Sequence, residues 1–351
     1  IPSCCWRSPH LKCNKKSFFS QTIREVSFVK KRFFFCLLSV FLLIPRVSAK
    51  EDYIRWVEFD VGLSPMQRAL ELDIASQGEE PPLSWIDLLA LAATRCGGGK
   101  GITASRVDQA AKDLRGGRDP KELLGAQYKY FSYYREAYHA VLGGLVGHYA
   151  IAVPNKETGT TEWVPAYGLK AFSPIAAGYG YAHYDDFGAK RSYGFSRPHL
   201  GNDLLGTLGT PIVAVEGGTV EALGWNQYGG WRIGIRSDDR LRYYYYAHLR
   251  KDAPYAPGLA EGQHVNAGDV IGFMGRTGYS RKENVNNIEA VHLHFGMELV
   301  FDESQKECDS EIWVDVYSLV RLLSSHRSSV QYNKETGRWE RLYPYRDLDA
   351  E

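Results

Sequence analysis

Residues 291–299 read VHLHFGMEL, and this short stretch decides how the rest of the chain is understood. Side chains on a strand alternate between faces, so His292 and His294 share one face, about 7 Å apart along the strand, while Leu293 and Phe295 turn to the other. An apolar face opposite a pair of imidazoles is what a sheet needs when one side is core and the other a site. One of the two imidazoles can ligate a metal while its neighbour stands beside it. An ordinary polar role remains the bland alternative for either histidine taken alone.

Working outward, similar short segments recur: 211–216 (PIVAVE), 218–224 (GTVEALG), 231–236 (WRIGIR), 241–248 (LRYYYYAH) and 269–274 (DVIGFM). Each is rich in β-branched or aromatic residues and lies among Gly, Pro, Asn or Asp. Strands with such turn signals predict a mainly antiparallel sheet or sandwich. Two further histidine motifs fall inside this region: His199-Leu200-Gly201-Asn202-Asp203 and Tyr246-Ala247-His248-Leu249. The four-residue spacing of His199 and Asp203 suits a strand-to-turn segment in which Gly201 lets the backbone bend. Two histidines and one carboxylate form a three-ligand set, and catalytic zinc keeps three protein ligands and an open position. By alternation Tyr244 and Tyr246 share the face of His248, where they either line a cleft or only pack.

These motifs resemble the lysostaphin-type (LytM-type) zinc metalloendopeptidases, which cut peptide bonds of bacterial peptidoglycan. The resemblance covers about residues 190–300. It is carried by the HLGND segment, Gly209-Thr210-Pro211, Gly217-Gly218-Thr219-Val220, YAHL, Val265-Asn266-Ala267-Gly268, Ile271-Gly272, Gly275-Arg276-Thr277-Gly278 and HLHF. It implies one Zn²⁺ per chain held by His199, Asp203 and His294. His248 and His292 match the family's two non-ligand catalytic histidines, and peptidoglycan peptides are the implied partner. No H-E-x-x-H helix supplies a glutamate base, so histidines near their ordinary pKa must move the protons. One departure stands out. The family has a short loop and a proline before H-L-H, whereas here residues 279–291 intervene and Val291 holds the proline's place. Cleft shape follows from that loop. The stretch 167–198 reads as a further wall, with His183, Asp185 and Asp186 as exposed loop polarity rather than a second metal site. His264 and His326 read as surface residues.

Residues 52–150 read as helical: a first helix opened by Ser64 and Pro65, a second from Trp85 to about Arg95 capped by Ser84, a third over 104–114, and a long fourth over 121–148 with Tyr128, Phe131, Tyr134, Tyr138 and Val141 on one stripe. An amphipathic helix over 312–325 closes the β region. The fold class is therefore α+β: a small helical N-terminal domain, a mainly antiparallel β catalytic domain of lysostaphin type, and a C-terminal helix. The boundaries fall at 1–49 (upstream and signal segment), 50–153 (helical), 154–325 (endopeptidase) and 326–351 (tail).

The net charge of +1 among 351 residues hides an asymmetry. Residues 1–49 carry nine Lys/Arg and one acidic residue, leaving 33 basic against 40 acidic residues in the remainder. That remainder is mildly acidic, which argues against a nucleic-acid binder working through phosphate neutralisation. Lys30-Lys31-Arg32, the apolar run 33–44 and Val47-Ser48-Ala49 form the charged, apolar and small-residue parts of an export signal. Cleavage is expected after Ala49, placing the protein outside the cell or in its envelope, with membrane contact only through an uncleaved signal. The first methionine, Met66, lies beyond this segment, and Val29 is a candidate start. Of six cysteines only Cys96 and Cys308 lie after the signal. The competing reading from another class is a non-enzymatic envelope-binding or scaffold module that keeps the peptidase fold. A biotin- or lipoyl-carrier hairpin, suggested by 261–272, lacks the displayed lysine it would need.

Overall fold

The alternation that marks residues 292–299 as a strand is realised in full. In the computed structural model, which describes residues 53–155, 157–306 and 310–350, this strand is the centre of the main sheet. The export segment, its cleavage site and Cys308 lie outside the described residues. No helix among the described residues is long and apolar enough to cross a membrane.

The chain begins with five helices: α1 (Leu63–Ala75), α2 (Trp85–Cys96), α3 (Ala104–Leu114), α4 (Pro120–Leu124) and α5 (Tyr128–Leu142). Helix α1 starts at Leu63 after Gly62, two residues earlier than Ser64 suggests. Ser84 holds the N-cap position of α2 but makes no side-chain cap. The buried Asp73 carboxylate accepts the Trp85 N–H instead, at 2.8 Å. Gly97, left-handed at φ +82°, ends α2.

The expected single helix over 121–148 is two helices and a strand. Gly125 (φ +52°) breaks the first from the second, and Gly143-Gly144 stops α5. Residues 146–154 then alternate into β1 (Val146–Pro154). The aromatic stripe of α5 is core: Tyr138 is 1% exposed and meets Phe59 edge-on at 5.5 Å.

Strand β1 pairs with β2 (Thr161–Leu169) on one side and with the last strand, β17 (Tyr345–Asp347), on the other. Residues 326–351, expected as a tail, thus contain three strands: β15 (Val330–Asn333) and β16 (Arg338–Arg341) form a hairpin before β17. The expected helix over 312–325 is shorter. Its first residues form β14 (Ile312–Val314) beside β13, and α6 (Tyr317–Leu323) follows.

Between these lie β3 (Ala182–His183), β4 (Lys190–Tyr193), β5 (Phe195–Pro198), β6 (Asn202–Leu205), β7 (Pro211–Val213), β8 (Gly218–Asn226), β9 (Gly230–Ser237), β10 (Arg242–Ala247), β11 (His264–Val265), β12 (Val270–Phe273) and β13 (His292–Leu299). The main sheet runs β11-β8-β9-β10-β13-β6-β3 with β14 also on β13, and every pairing is antiparallel. One continuous apolar cluster joins its inner face to the helices, from Leu88, Leu89 and Val141 through Ile233 and Ile235 to Leu293 and Phe295. Burying each such side chain contributes about 1.5–3 kcal/mol, so helices and sheet share one core.

A buried charged cluster reinforces that union. Arg242, at the start of β10, is fully buried. Its guanidinium donates to both Glu216 carboxylate oxygens at 2.8 and 2.9 Å, to Asp239 at 2.7 Å and to the Ala140 carbonyl near the end of α5 at 3.0 Å. Tyr244 donates to the same Glu216 carboxylate at 2.6 Å.

Candidate active site

Register brings the candidate residues together. On β13 and β6, His294 lies directly opposite Asp203, and on β10 and β13, Ala247 lies opposite His294. Opposed residues on neighbouring strands present their side chains on the same face. His199 precedes β6 and returns to that face across Gly201. This glycine is not among the left-handed ones. It gives room: a Cβ there would lie 2.5 Å from the Phe295 carbonyl oxygen and 2.8 Å from the His294 ring.

The three donor atoms converge. His199 Nε2 is 2.7 Å from His294 Nδ1 and 3.1 Å from Asp203 Oδ1, and the last two are 3.4 Å apart. Zinc bonds of 2.0–2.1 Å in tetrahedral geometry place donor atoms about 3.3 Å from one another, so the set fits such an ion closely. Asp203 Oδ1 is buried and accepts no hydrogen bond, whereas Oδ2 accepts from Arg191 at 3.0 Å. One carboxylate oxygen is held by the protein and the other is left for a ligand.

Protons are arranged accordingly. His199 Nδ1 faces the Asp186 carbonyl at 3.1 Å and the Asp186 carboxylate at 3.3 Å, which leaves Nε2 to donate its lone pair. Burial opposes charge on His199, but the Asp186 and Asp203 carboxylates beside it outweigh that and hold its pKa up to about 9. Burial pushes His294 down to about 4. Asp203 is buried too, yet the imidazoles of His199 and His294 beside it hold its carboxyl far below the usual range.

His248 and His292 flank this set. Their rings lie 4.7 Å apart, and His292 Nε2 is 3.7 Å from Asp203 Oδ1. His248 Nδ1 donates to the Thr277 carbonyl at 2.9 Å, and His292 Nδ1 donates to the Ala290 carbonyl at 2.9 Å. In the neutral form of each ring, Nε2 is therefore the nitrogen able to accept a proton. Burial, with the neighbouring imidazoles, pushes His248 well below its ordinary pKa. His199, Asp203, His248, His292 and His294 line one small pocket together with Arg191, Arg197 and Tyr279.

Several expectations need correction. Tyr244 and Tyr246 do not line this pocket. Both are fully buried in the core, where Tyr246 OH accepts the Val215 N–H and Tyr244 serves Glu216. The reason is His248 itself: its φ of +63° breaks the alternation just past β10 and swings its ring to the other face. Histidine tolerates this conformation better than most residues. His326 is not a surface residue; it stacks on Phe172 at 4.4 Å and bonds the Ala171 carbonyl. His264 is exposed and pairs with Asp238. Asp186 is no loop polarity but the carboxylate that orients His199. His183 packs on Tyr317 at 4.6 Å, and burial pushes it down to about 4. Arg191 and Arg197 carried no local signal in the sequence.

Residues 197–307 match the sequence profile of Peptidase family M23. The matched segment spans all five residues above, in keeping with the lysostaphin-type resemblance. The chain is 39% identical over 130 residues to the L-Ala–D-Glu endopeptidase of Bacillus subtilis (strain 168), covering 37% of this chain and 38% of that protein. It is 37% identical over 98 residues to lysostaphin of Staphylococcus simulans, covering 28% of this chain and 17% of that protein. The chain thus spans well under half the length of these curated relatives. Among solved structures, the catalytic domain of Staphylococcus simulans lysostaphin aligns with a TM-score of 0.32 at 29% identity, over 40% of this chain and 92% of that one.

Proposed function

We propose that this protein is an exported zinc metalloendopeptidase that hydrolyses peptide bonds of bacterial peptidoglycan. The observation that carries this reading is the convergence of His199 Nε2, Asp203 Oδ1 and His294 Nδ1, with two proton-accepting imidazoles beside them. His199, Asp203 and His294 hold one Zn²⁺ per chain. Zinc in that position supplies Lewis acidity toward water and the scissile carbonyl.

His248 and His292 do the proton work. Each is fixed through Nδ1 to a backbone carbonyl, so each presents Nε2 toward the pocket in one tautomer. One takes the proton of the attacking water, and the other steadies the tetrahedral oxyanion or protonates the leaving amine. The low basicity of the buried His248 keeps it neutral at physiological pH and ready to accept. Arg191 and Asp186 act on the ligands, holding the Asp203 carboxylate and the His199 ring in place. The five named side chains support catalysis over a scaffold role.

The test is digestion of purified cell walls by the purified protein, with mass spectrometry of the released muropeptides. The expected result is a new peptide amine and carboxylate at one bond type, abolished by a chelator and restored by zinc. Full zinc occupancy with no bond cleaved in any wall preparation would instead favour the binding-module reading.

A further inference from the structure

The long loop over residues 279–291 is a built wall rather than a slack connection. Asn284 is its keystone. Its side-chain oxygen accepts the Trp231 indole N–H and the Asp252 backbone N–H, each at 2.9 Å, and its amide nitrogen donates to the Asp252 carboxylate at 2.6 Å. The Gly278 N–H donates to the Val285 carbonyl at 3.2 Å, Asn287 donates to the Tyr279 carbonyl at 2.6 Å, and Arg276 donates to the Ile288 carbonyl at 3.1 Å. These bonds fix the turn 281–284 beside residues 250–252.

Positive charge gathers on this wall. His248 and Tyr279 both line the pocket, and two residues after each begins a basic pair: Arg250-Lys251 and Arg281-Lys282. Lys251, Arg281 and Lys282 are exposed, while the half-buried Arg250 lies over the Phe273 ring at 4.7 Å. Other arginines around the sheet are spent on carboxylates: Arg191 on Asp186 and Asp203, Arg236 and Arg240 on Glu303, Arg242 on Glu216. Among the described residues, none of the four rim cations forms an ion pair. Segments 250–252 and 281–283 hold these four against two acids, Asp252 and Glu283. The rim is therefore positive on a chain whose residues 50–351 carry 33 basic and 40 acidic side chains.

We propose that Arg250, Lys251, Arg281 and Lys282 form a capture surface for a carboxylate-bearing peptide polymer, drawing the anionic wall peptides onto the rim of the pocket. The inference rests on the endopeptidase reading above. An acidic protein repels an acidic polymer except where a positive patch reverses the local field, and this patch stands beside His248 and Tyr279. Exposed cations that hold no carboxylate of their own give up no internal pair on meeting one. Their attraction speeds encounter and lowers KM, and it leaves bond cleavage at the histidines unchanged.

The experiment mixes the zinc-loaded protein, and its Arg281→Gln/Lys282→Gln variant, on ice with insoluble cell walls in three forms: intact, stripped of phosphodiester polymers, and stripped then amidated at their carboxylates. Bound protein is measured after sedimentation, and peptide release on warming gives KM and kcat. The wild type should bind intact and stripped walls alike and amidated walls about fivefold more weakly. The variant should bind stripped walls about fivefold more weakly than the wild type does, with KM raised about fivefold and kcat within about twofold. Raising the salt from about 0.05 to about 0.5 M should erase the difference between the two proteins. Equal binding to stripped and amidated walls, unchanged binding by the variant, or a fall in kcat at constant KM would overturn the proposal. Binding lost on stripping would overturn it too, by assigning the surface to phosphodiesters. Should the double variant fail to fold, the wild-type binding series and Lys251→Gln, expected to weaken binding in the same direction, decide. Sedimentation needs no turnover, so binding as stated with no peptide released would overturn the endopeptidase reading alone.

Discussion

Strand β10 carries a buried charged cluster at each end, and the two are built on opposite principles. At its start, Arg242, Glu216, Asp239 and Tyr244 satisfy one another, and the arginine also caps the carbonyls that end α5. Just past its end, His248 joins His292, His294, His199 and Asp203, where one carboxylate oxygen is buried without a hydrogen bond and three donor atoms crowd within 3.4 Å. A cluster whose members complete one another holds the fold together. A cluster that leaves lone pairs aimed at one point is completed by something else. Both are buried, so burial alone does not tell them apart; the state of satisfaction does.

This contrast can be broken in graded ways. Asp203→Ala should abolish zinc binding and reduce peptide hydrolysis to background, a loss of at least about a thousandfold, because it removes one ligand of three. The protein should still fold, since Arg191 and His199 both keep Asp186 as a partner after the Asp203 carboxylate is removed. Glu216→Ala should do the reverse. Stripped of its bidentate partner, buried Arg242 costs about 3–5 kcal/mol, read as a lower urea midpoint, while the fraction that remains folded still binds zinc.

Zinc affinity should also depend on pH in a definite direction. His199 carries a proton up to about pH 9 in the ion-free protein and must lose it to ligate. Affinity therefore rises with pH until about 9, falling by up to about tenfold for each unit below, and then levels off. Titration calorimetry at several pH values checks this; a flat profile between pH 6 and 9 would contradict the assigned protonation. The smallest effect is expected from Tyr244→Phe. It removes one donor from a carboxylate that keeps its arginine, so the loss is about 1 kcal/mol with activity unchanged.

The same contrast explains what could be read from the sequence. Strands β8, β9, β10 and β13 lie within a few residues of their expected positions because period-two alternation between Gly- and Asn-rich turns is a local signal. His199 with Asp203, and His292 with His294, are likewise legible because each pair lies within five residues of chain. Asp186 and Arg191 support those residues only after the 182–198 segment has folded over the sheet, and no local pattern announces such a contact. The long helix misread over 121–148 fails for a related reason. Its aromatic spacing fits a helix throughout, and only the glycines at 125, 143 and 144 record where the backbone departs from it. Tyr244 and Tyr246 pack, one of the two roles left open for them; the face they were given in common with His248 came from trusting alternation across His248, whose positive φ reverses the face.

The central claim is that His199, Asp203 and His294 hold the ion while His248 stands beside it to move protons. The most direct measurement is the zinc content, together with the peptidase rate, of purified wild-type protein, His294→Ala and His248→Ala. The account predicts about one zinc in the wild type, none in His294→Ala, and about one in His248→Ala with hydrolysis down about 10²–10⁴-fold. Zinc lost from His248→Ala but retained by His294→Ala would contradict it.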